Sequence, residues 1–362
     1  MATRILVGTR KGLFVLQKDF AGVWQVASTH FLGDPISMAL YDARDDSLHA
    51  ALNLGHFGVK MRRSRDGGNS WDETAVPVYP PQPQEAKDET PWTLSQIWSL
   101  ETGGADRPGT LWAGTLPGGL FVSRDSGDSW ELVRSLWDKP ERKKWFGGGY
   151  DSPGIHSIAV DPRHSDSVSV GVSCGGVWHT DDAGATWQLR ASGMYADYMP
   201  EELRGDPSIQ DPHRLVRCAS APDALWVQHH CGIFRSRDDG RSWQQIYAQP
   251  SAFGFAVAVH PQYPDTAWFV PAVKDALRVP VNNQFVVTRT RDGGQTFETL
   301  RNGLPQGPAY DLVYRHGLDV DASGDALVMG STTGSLWISE NGGDDWLWFS
   351  DNLPPIYCAR FA

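Results

Sequence analysis

The chain has no run approaching the roughly 18 apolar residues that a membrane helix needs, and its opening, Met1-Ala-Thr-Arg-Ile-Leu-Val-Gly8, holds no long apolar signal core. A cytoplasmic protein without a membrane partner is the expectation. Cysteine is scarce, with four in 362 residues, and Cys174, Cys218, Cys231 and Cys358 match neither zinc-ribbon nor redox-motif spacing. Reduced thiols follow in that compartment. Basic charge is short as well: 32 Lys and Arg stand against 43 Asp and Glu, a formal net charge of −11, which argues against a nucleic-acid or anionic-membrane surface. Individual arginines remain available to small anions.

Glycine, proline and tryptophan are plentiful, at 38, 24 and 16 residues. That combination suits short strands joined by many turns around an aromatic core. The organising stretch is Ser123-Arg-Asp-Ser-Gly-Asp-Ser-Trp130. It recurs with the same chemistry from Ser64, Thr180, Ser236 and Thr290, and again from Ser339 with Asn341 in place of the acid, so successive copies begin 59, 57, 56, 54 and 49 residues apart. A period of this length calls for a repeat architecture. Within a copy the Asp side chain, or Asn341 in the last, can accept from turn amides, Gly takes a positive φ, and the final Trp, Phe297 in the copy from Thr290, can lay its ring over the turn.

This pattern resembles the Asp-box, or BNR repeat, of sialidases, xyloglucanases, sortilin-type sorting receptors and a photosystem assembly factor. The resemblance implies a β-propeller with the boxes on its outer hairpins, away from the active face. It gives Asp66, Asp125, Asp182, Asp238 and Asp292 a structural role. Each box follows two apolar strands, as in 110–114 and 119–122, and a third precedes them, as in 155–160 and 253–259. With the segment opening at the box Trp, that makes four strands per repeat. The first repeat, from Ile5 to Ala27, lacks a box and an inner strand, while Ile356 to Phe361 reads as an inner strand with nothing after it. The expected fold is therefore all-β, a single seven-bladed propeller over residues 1–362 with the carboxy-terminal strand closing the ring.

Insertions at about 77–93, 137–154, 192–212 and 271–283 fall on the face opposite the boxes. Extended loops on a rigid scaffold usually carry binding chemistry. Arg217 and Arg315 align near the central channel, where a planar fork suits a ligand carboxylate or phosphate. Ion pairs with Glu201, Asp206 or Asp311 would satisfy them equally. His156, His213 and His229, with His230 alongside, come from neighbouring repeats and offer an alternative divalent-metal site. Tyr150, Tyr195, Tyr198, Tyr310, Tyr314, Trp92 and Trp145 could stack sugar rings or pack the loops. Cys174 and Cys231 occupy matching turns, as small residues or as nucleophiles beside histidine.

Sialidases of the resembling family use three arginines, a Tyr-Glu nucleophile pair, an Asp acid and usually an Arg-Ile-Pro element on six blades. That element is absent here and seven repeats are present. The resemblance implies comparable roles for Arg217, Arg315 and Tyr314. With Glu201 and Asp311 as loop carboxylates for acid and base work, Tyr314, Glu201 and Asp311 are the catalytic candidates, and by their place in the ring Arg217, Arg315, His156, His229 and Tyr150 are the ligand-binding ones around one shared cavity. The leading expectation is a propeller that binds, and hydrolyses, a small carbohydrate-like or carboxylated ligand at the central mouth. The alternatives are a noncatalytic scaffold binding a protein partner, and a metal-dependent hydrolase or lyase.

Overall fold

The computed structural model describes residues 3–86, 88 and 90–362. Its described residues form seven four-stranded antiparallel sheets arranged as a propeller. Six blades run in sequence from the inner to the outer strand, beginning at Ile36, Gln96, Ile155, Pro212, Gly254 and Leu318. We number these blades 2 to 7. Blade 1 is composite: Ile356–Phe361 pairs with Arg4–Thr9, followed outward by Gly12–Lys18 and Trp24–His30. Among the described residues helix is confined to one turn at Arg134–Trp137 and short 3-10 segments. No helix among the described residues is long and apolar enough to cross a membrane.

Inner strands such as Gly254–Val259 are wholly buried, whereas outer ones such as Leu347–Ser350 are largely exposed. The core accordingly lies between neighbouring blades. Close approach there requires glycine on the second strand: a Cβ on Gly114 would stand 2.4 Å from the Ile155 carbonyl oxygen, and one on Gly330 would stand 2.6 Å from Ile356. Any side chain at either position would push the next inner strand outward.

The repeated turn is self-satisfied, as its chemistry demands. Ser123 Oγ accepts from Gly127 N–H at 2.8 Å and donates to Asp125 Oδ1 at 2.8 Å, while that carboxylate accepts the Ser129 amide and hydroxyl at 2.8 and 2.5 Å. In blade 7 the roles are exchanged. Asn341 Oδ1 accepts from Asp345 N–H, and the Asn341 amide donates to the Asp345 carboxylate, both at 2.9 Å. Two features go beyond the expected turn. The residue before the conserved Gly also has positive φ, even where it is Ser126, Ala183 or Asp239. Its carbonyl then faces the preceding blade, where Arg63 donates to Ser126 O, Arg190 to Asp239 O, Arg235 to Gly293 O and Arg289 to Gly342 O. The Trp rings also divide: Trp71 and Trp187 donate to their own turns, but Trp130 and Trp243 donate back to Ala75 O and Arg190 O. The repeat thus fastens blade to blade.

Hydrogen bonds from neighbouring Ser or Thr hold Asp66, Asp182 and Asp292 at a pKa of about 2. A depressed carboxylate pKa contributes stability that is present above the unfolded value, about 3.9, and lost as pH falls toward 2. The melting temperature should therefore drop across that window, and Asp182→Asn, which removes one titrating group, should make the drop shallower; identical profiles would contradict the linkage. Truncation after Pro355 should abolish cooperative melting of the whole ring in circular dichroism, because it strips blade 1 of its inner strand. An unchanged melt would show that closure is dispensable.

Candidate functional site

Inner strands begin on the loop-bearing face, and most begin with a β-bulge. At these starts the register slips at Ser37, Trp98, His156, His213, Phe255–Ala256 and Tyr357, in blades 2, 3, 4, 5, 6 and 1 respectively. A bulge re-aims its side chain relative to the pleat. Ser37, Trp98, Phe255 and Tyr357 consequently line a cavity of about 760 Å³ at the mouth of the central channel. Blade 7 contributes Tyr314, Arg315 and His316 from the segment leading into its inner strand, and the 137–154 and 271–283 loops contribute Tyr150 and Arg278. Asp34, Asn53 and Gln96 add polar groups.

Arg315 dominates the electrostatics. Its side chain is 6% exposed, its guanidinium lies 4.7 Å from the centroid of Trp98 and 5.6 Å from that of Phe255, and Nε and Nη2 have no hydrogen-bond partner among the described residues. Burial pulls its pKa down from the ordinary arginine value, though Asp211, Tyr150 and Tyr314 oppose this. Arg278, also on the wall, is neutralised by Asp275 at 2.5 Å. Tyr314 meets Phe255 edge-on at 5.0 Å, and Tyr150 meets Trp98 in the same way at 5.0 Å.

The other proposed site residues divide. His156 lies behind the wall, edge-on to Trp98 at 5.3 Å, with Nδ1 sharing a hydrogen bond with Ser157 and Nε2 unpartnered. Burial, then the charge of Arg315, drives its pKa well down, so the ring is neutral. His229 is fully buried with both ring nitrogens against backbone amides, those of Asp211 and Cys231 at 3.0 Å each. Asp311 accepts from Ser331 at 2.8 Å and from Thr333. Glu201 begins an exposed 3-10 turn, and neither of these two carboxylates lines the cavity. Trp92 and Trp145 pack into the loops against Trp137 and Trp178. Burial raises both thiols, that of Cys231 to about 12, which is inert rather than nucleophilic.

Arg217 does not share this cavity. It stands at the opposite end of its strand, paired with Leu225 near the box face, in an ion pair with Asp239 at 2.8 Å and beside Asp161 at 3.6 Å. Six residues along a strand span about 20 Å, so Pro212 and Arg217 serve opposite faces. Nor do His156, His213 and His229 form a trio. His213 instead meets Asp211 and His230, one of two described groups whose atoms are close enough to hold an ion; the other is His179, Asp181 and Asp239. In that second group Arg190 and Arg217 already neutralise Asp239. The sequence reading missed Asp211, Trp98 and Phe255. Their common signal is a position, the second or third residue of an inner strand or the residue just before it, which hydrophobic periodicity treats as noise.

With this geometry in view, no family model matches the chain. Sequence similarity reaches a xyloglucanase of Hypocrea jecorina, 26% identical over 226 residues, 56% of this chain and 25% of that protein. It also reaches an oligoxyloglucan-reducing end-specific xyloglucanase of Emericella nidulans, 34% identical over 180 residues, 48% of this chain and 19% of that protein. The chain thus spans a quarter or less of these curated relatives. Among solved structures, an ancestral GH74 enzyme superposes with a TM-score of 0.60 at 15% identity, covering 90% of this chain and 38% of the other. A structure of YCF48 bound to D1 peptide gives 0.55 at 14% identity, with 93% of each chain covered. At these identities the structural likeness is one of fold.

Replacing Arg217 by Met should cost about 3 kcal/mol in urea unfolding, since it breaks a buried ion pair, and leave ligand affinity at the mouth unchanged by calorimetry. A loss of affinity without a loss of stability would restore Arg217 to the site.

Proposed function

We propose that this propeller binds a small carbohydrate-like ligand bearing a carboxylate in the cavity at its central mouth. One observation carries the reading: a buried guanidinium, that of Arg315, lines the cavity with Nε and Nη2 unpartnered and with no carboxylate at ion-pair distance among the described residues, Asp211 acting on it only from further off. Burying a charge without a contacting partner is costly, and a ligand carboxylate would offset that cost through a charge-assisted hydrogen bond. Trp98, Phe255, Tyr314 and Tyr150 supply apolar ring faces and edges, and Asn53, Gln96 and Asp34 supply partners for hydroxyl groups. The sequence similarity to xyloglucanases supports a glycoside-hydrolase-like ligand.

Hydrolysis is the further step. Ordinary glycosidases flank the scissile bond with two carboxylates, whereas Asp34 is the sole carboxylate among the cavity's described lining residues. The chemistry would therefore rest on Tyr314 as nucleophile, assisted by Asp34, in the manner of the tyrosine-dependent sialidases. A second reading, a scaffold for a protein partner, is favoured by the exposed rim aromatics Phe57, 73% exposed, and Tyr150, 49% exposed.

Titration calorimetry with uronate-bearing and neutral oligosaccharides of equal length separates these readings. The acidic sugar should bind more tightly, and Arg315→Gln should weaken it roughly 10- to 100-fold, the value of one charge-assisted contact. Equal binding of both sugars, or an unaltered affinity in the variant, would overturn the anion site.

A further inference from the structure

Behind Phe255, away from the mouth cavity, three polar groups are brought together by the fifth blade. Asp211 immediately precedes that blade's inner strand, His213 is its bulged residue, and His230 lies in the turn between its second and third strands. His213 Nε2 and His230 Nδ1 both approach Asp211 Oδ2, each at 3.4 Å. The three ligand atoms lie within 4.8 Å of one another.

Those separations are informative. A charge-assisted N–H to carboxylate hydrogen bond is about 2.7–2.9 Å long, so 3.4 Å is too long for a good one. It is, however, the edge of a tetrahedron whose vertices lie about 2.1 Å from a central ion, the usual length of zinc–imidazole and zinc–carboxylate bonds. The ring of His213 is also held in the orientation of a ligand. Its Nδ1 lies 2.7 Å from the Gly254 carbonyl oxygen, which can only accept, so Nδ1 carries the proton and Nε2 faces Asp211. A backbone carbonyl on the far nitrogen is the usual second partner of a metal-bound histidine. Phe255 stacks on the same ring at 4.5 Å. Asp211 is fixed too, with Oδ1 accepting from Cys174 N–H at 3.2 Å, its own N–H on His229 Nε2 at 3.0 Å, and its carbonyl accepting from His230 N–H at 3.0 Å.

We propose that Asp211, His213 and His230 form a binding site for a divalent transition-metal ion of the zinc class. Two imidazoles and one carboxylate suit zinc, cobalt or iron rather than calcium or magnesium, which prefer all-oxygen shells. Three protein ligands leave a fourth position open, as in sites where the ion also holds water or a ligand oxygen. The open side is that of His230, the only half-buried member, under the ring of Tyr198 at 4.7 Å. The 192–212 insertion, which carries both Tyr198 and Asp211, thereby acquires a role that the mouth cavity does not give it.

The other candidate group differs in kind. His179 and Asp239 sit among Arg190 and Arg217, whose guanidinium groups occupy the carboxylate at 2.5 and 2.8 Å and would repel a cation. Asp211 and His213 feel the charge of Arg315, but no arginine is within salt-bridge distance of Asp211 among the described residues, so its carboxylate oxygens are not occupied by a guanidinium.

The test uses the full chain, stripped with chelator and dialysed against zinc, then measured by elemental analysis, with cobalt titration followed in the visible spectrum as an independent readout of coordination. One ion per chain is expected, together with a zinc-dependent rise in melting temperature and the intense d–d bands of a four-coordinate cobalt site. His213→Ala and His230→Gln should each abolish stoichiometric uptake, while His179→Gln should retain it. His230→Gln is the deciding variant if His213→Ala fails to fold, because His230 lies at the edge of the cluster. A folded wild-type chain that takes up neither ion, or a folded His230→Gln variant that takes up zinc as fully as the wild type, would overturn the site. None of these readouts requires a carbohydrate, so they stand or fall apart from the reading of the mouth.

Discussion

The antiparallel pairing of Ile356–Phe361 with Arg4–Thr9 is the contact on which the rest of the molecule depends. It joins the two ends of the chain inside one sheet, removes the free edges that an open array would expose, and fixes the diameter of the ring. The closing strand also braces the channel. Arg360 reaches blade 3, donating to Leu100 O and to the Glu101 carboxylate, both at 2.9 Å across about 260 residues of sequence. The same strand delivers Tyr357 to the mouth cavity. Closure and site construction are thus one event, because the inner strands converge on a common mouth only when all seven are held in a ring.

Around the ring, two kinds of device divide the work. On the box face, each repeated turn satisfies its own donors, and those of blades 3, 5, 6 and 7 offer a carbonyl to an arginine of the preceding blade, so charge is consumed in joining blades. On the opposite face, bulges at the start of the inner strands break the pleat, and the freed side chains point into cavities instead of into the ladder. A repeat built for uniform stability therefore becomes non-uniform at one end. Trp98, His156, His213, Phe255 and Tyr357 stand at equivalent places and differ completely in chemistry.

The two arginines singled out from the sequence show how the faces differ. Arg217 is surrounded by Asp239, Asp161 and Ser169 and is spent on structure. Arg315 is surrounded by aromatic rings and keeps its hydrogen-bonding capacity. Both are buried, and both lie at or beside inner strands of one propeller. Their opposite fates follow from strand polarity: residues at the start of an inner strand meet the mouth, and residues at its end meet the turns.

Much of the architecture was legible because it rests on local chemistry that repeats. Five turns of Asp, Gly and Ser or Thr and a sixth built on Asn341 and Asp345 marked six blades, and a missing strand at one end with a surplus strand at the other marked the seventh and the closure. Arg315, Tyr314 and Tyr150 could be placed at the mouth for the same reason, by counting strands. Counting failed for Arg217, which the hydrophobic pattern places near the channel mouth but which sits at the far end of its strand, and for the histidine trio, where the structure exchanged His156 and His229 for Asp211 and His230. Which side chains meet depends on where each bulge falls and which way it turns the residue, and on the distance between segments some 20 to 260 residues apart. Those quantities are set by the packing of one blade on the next, for which a linear pattern of apolar and polar residues carries no coordinate.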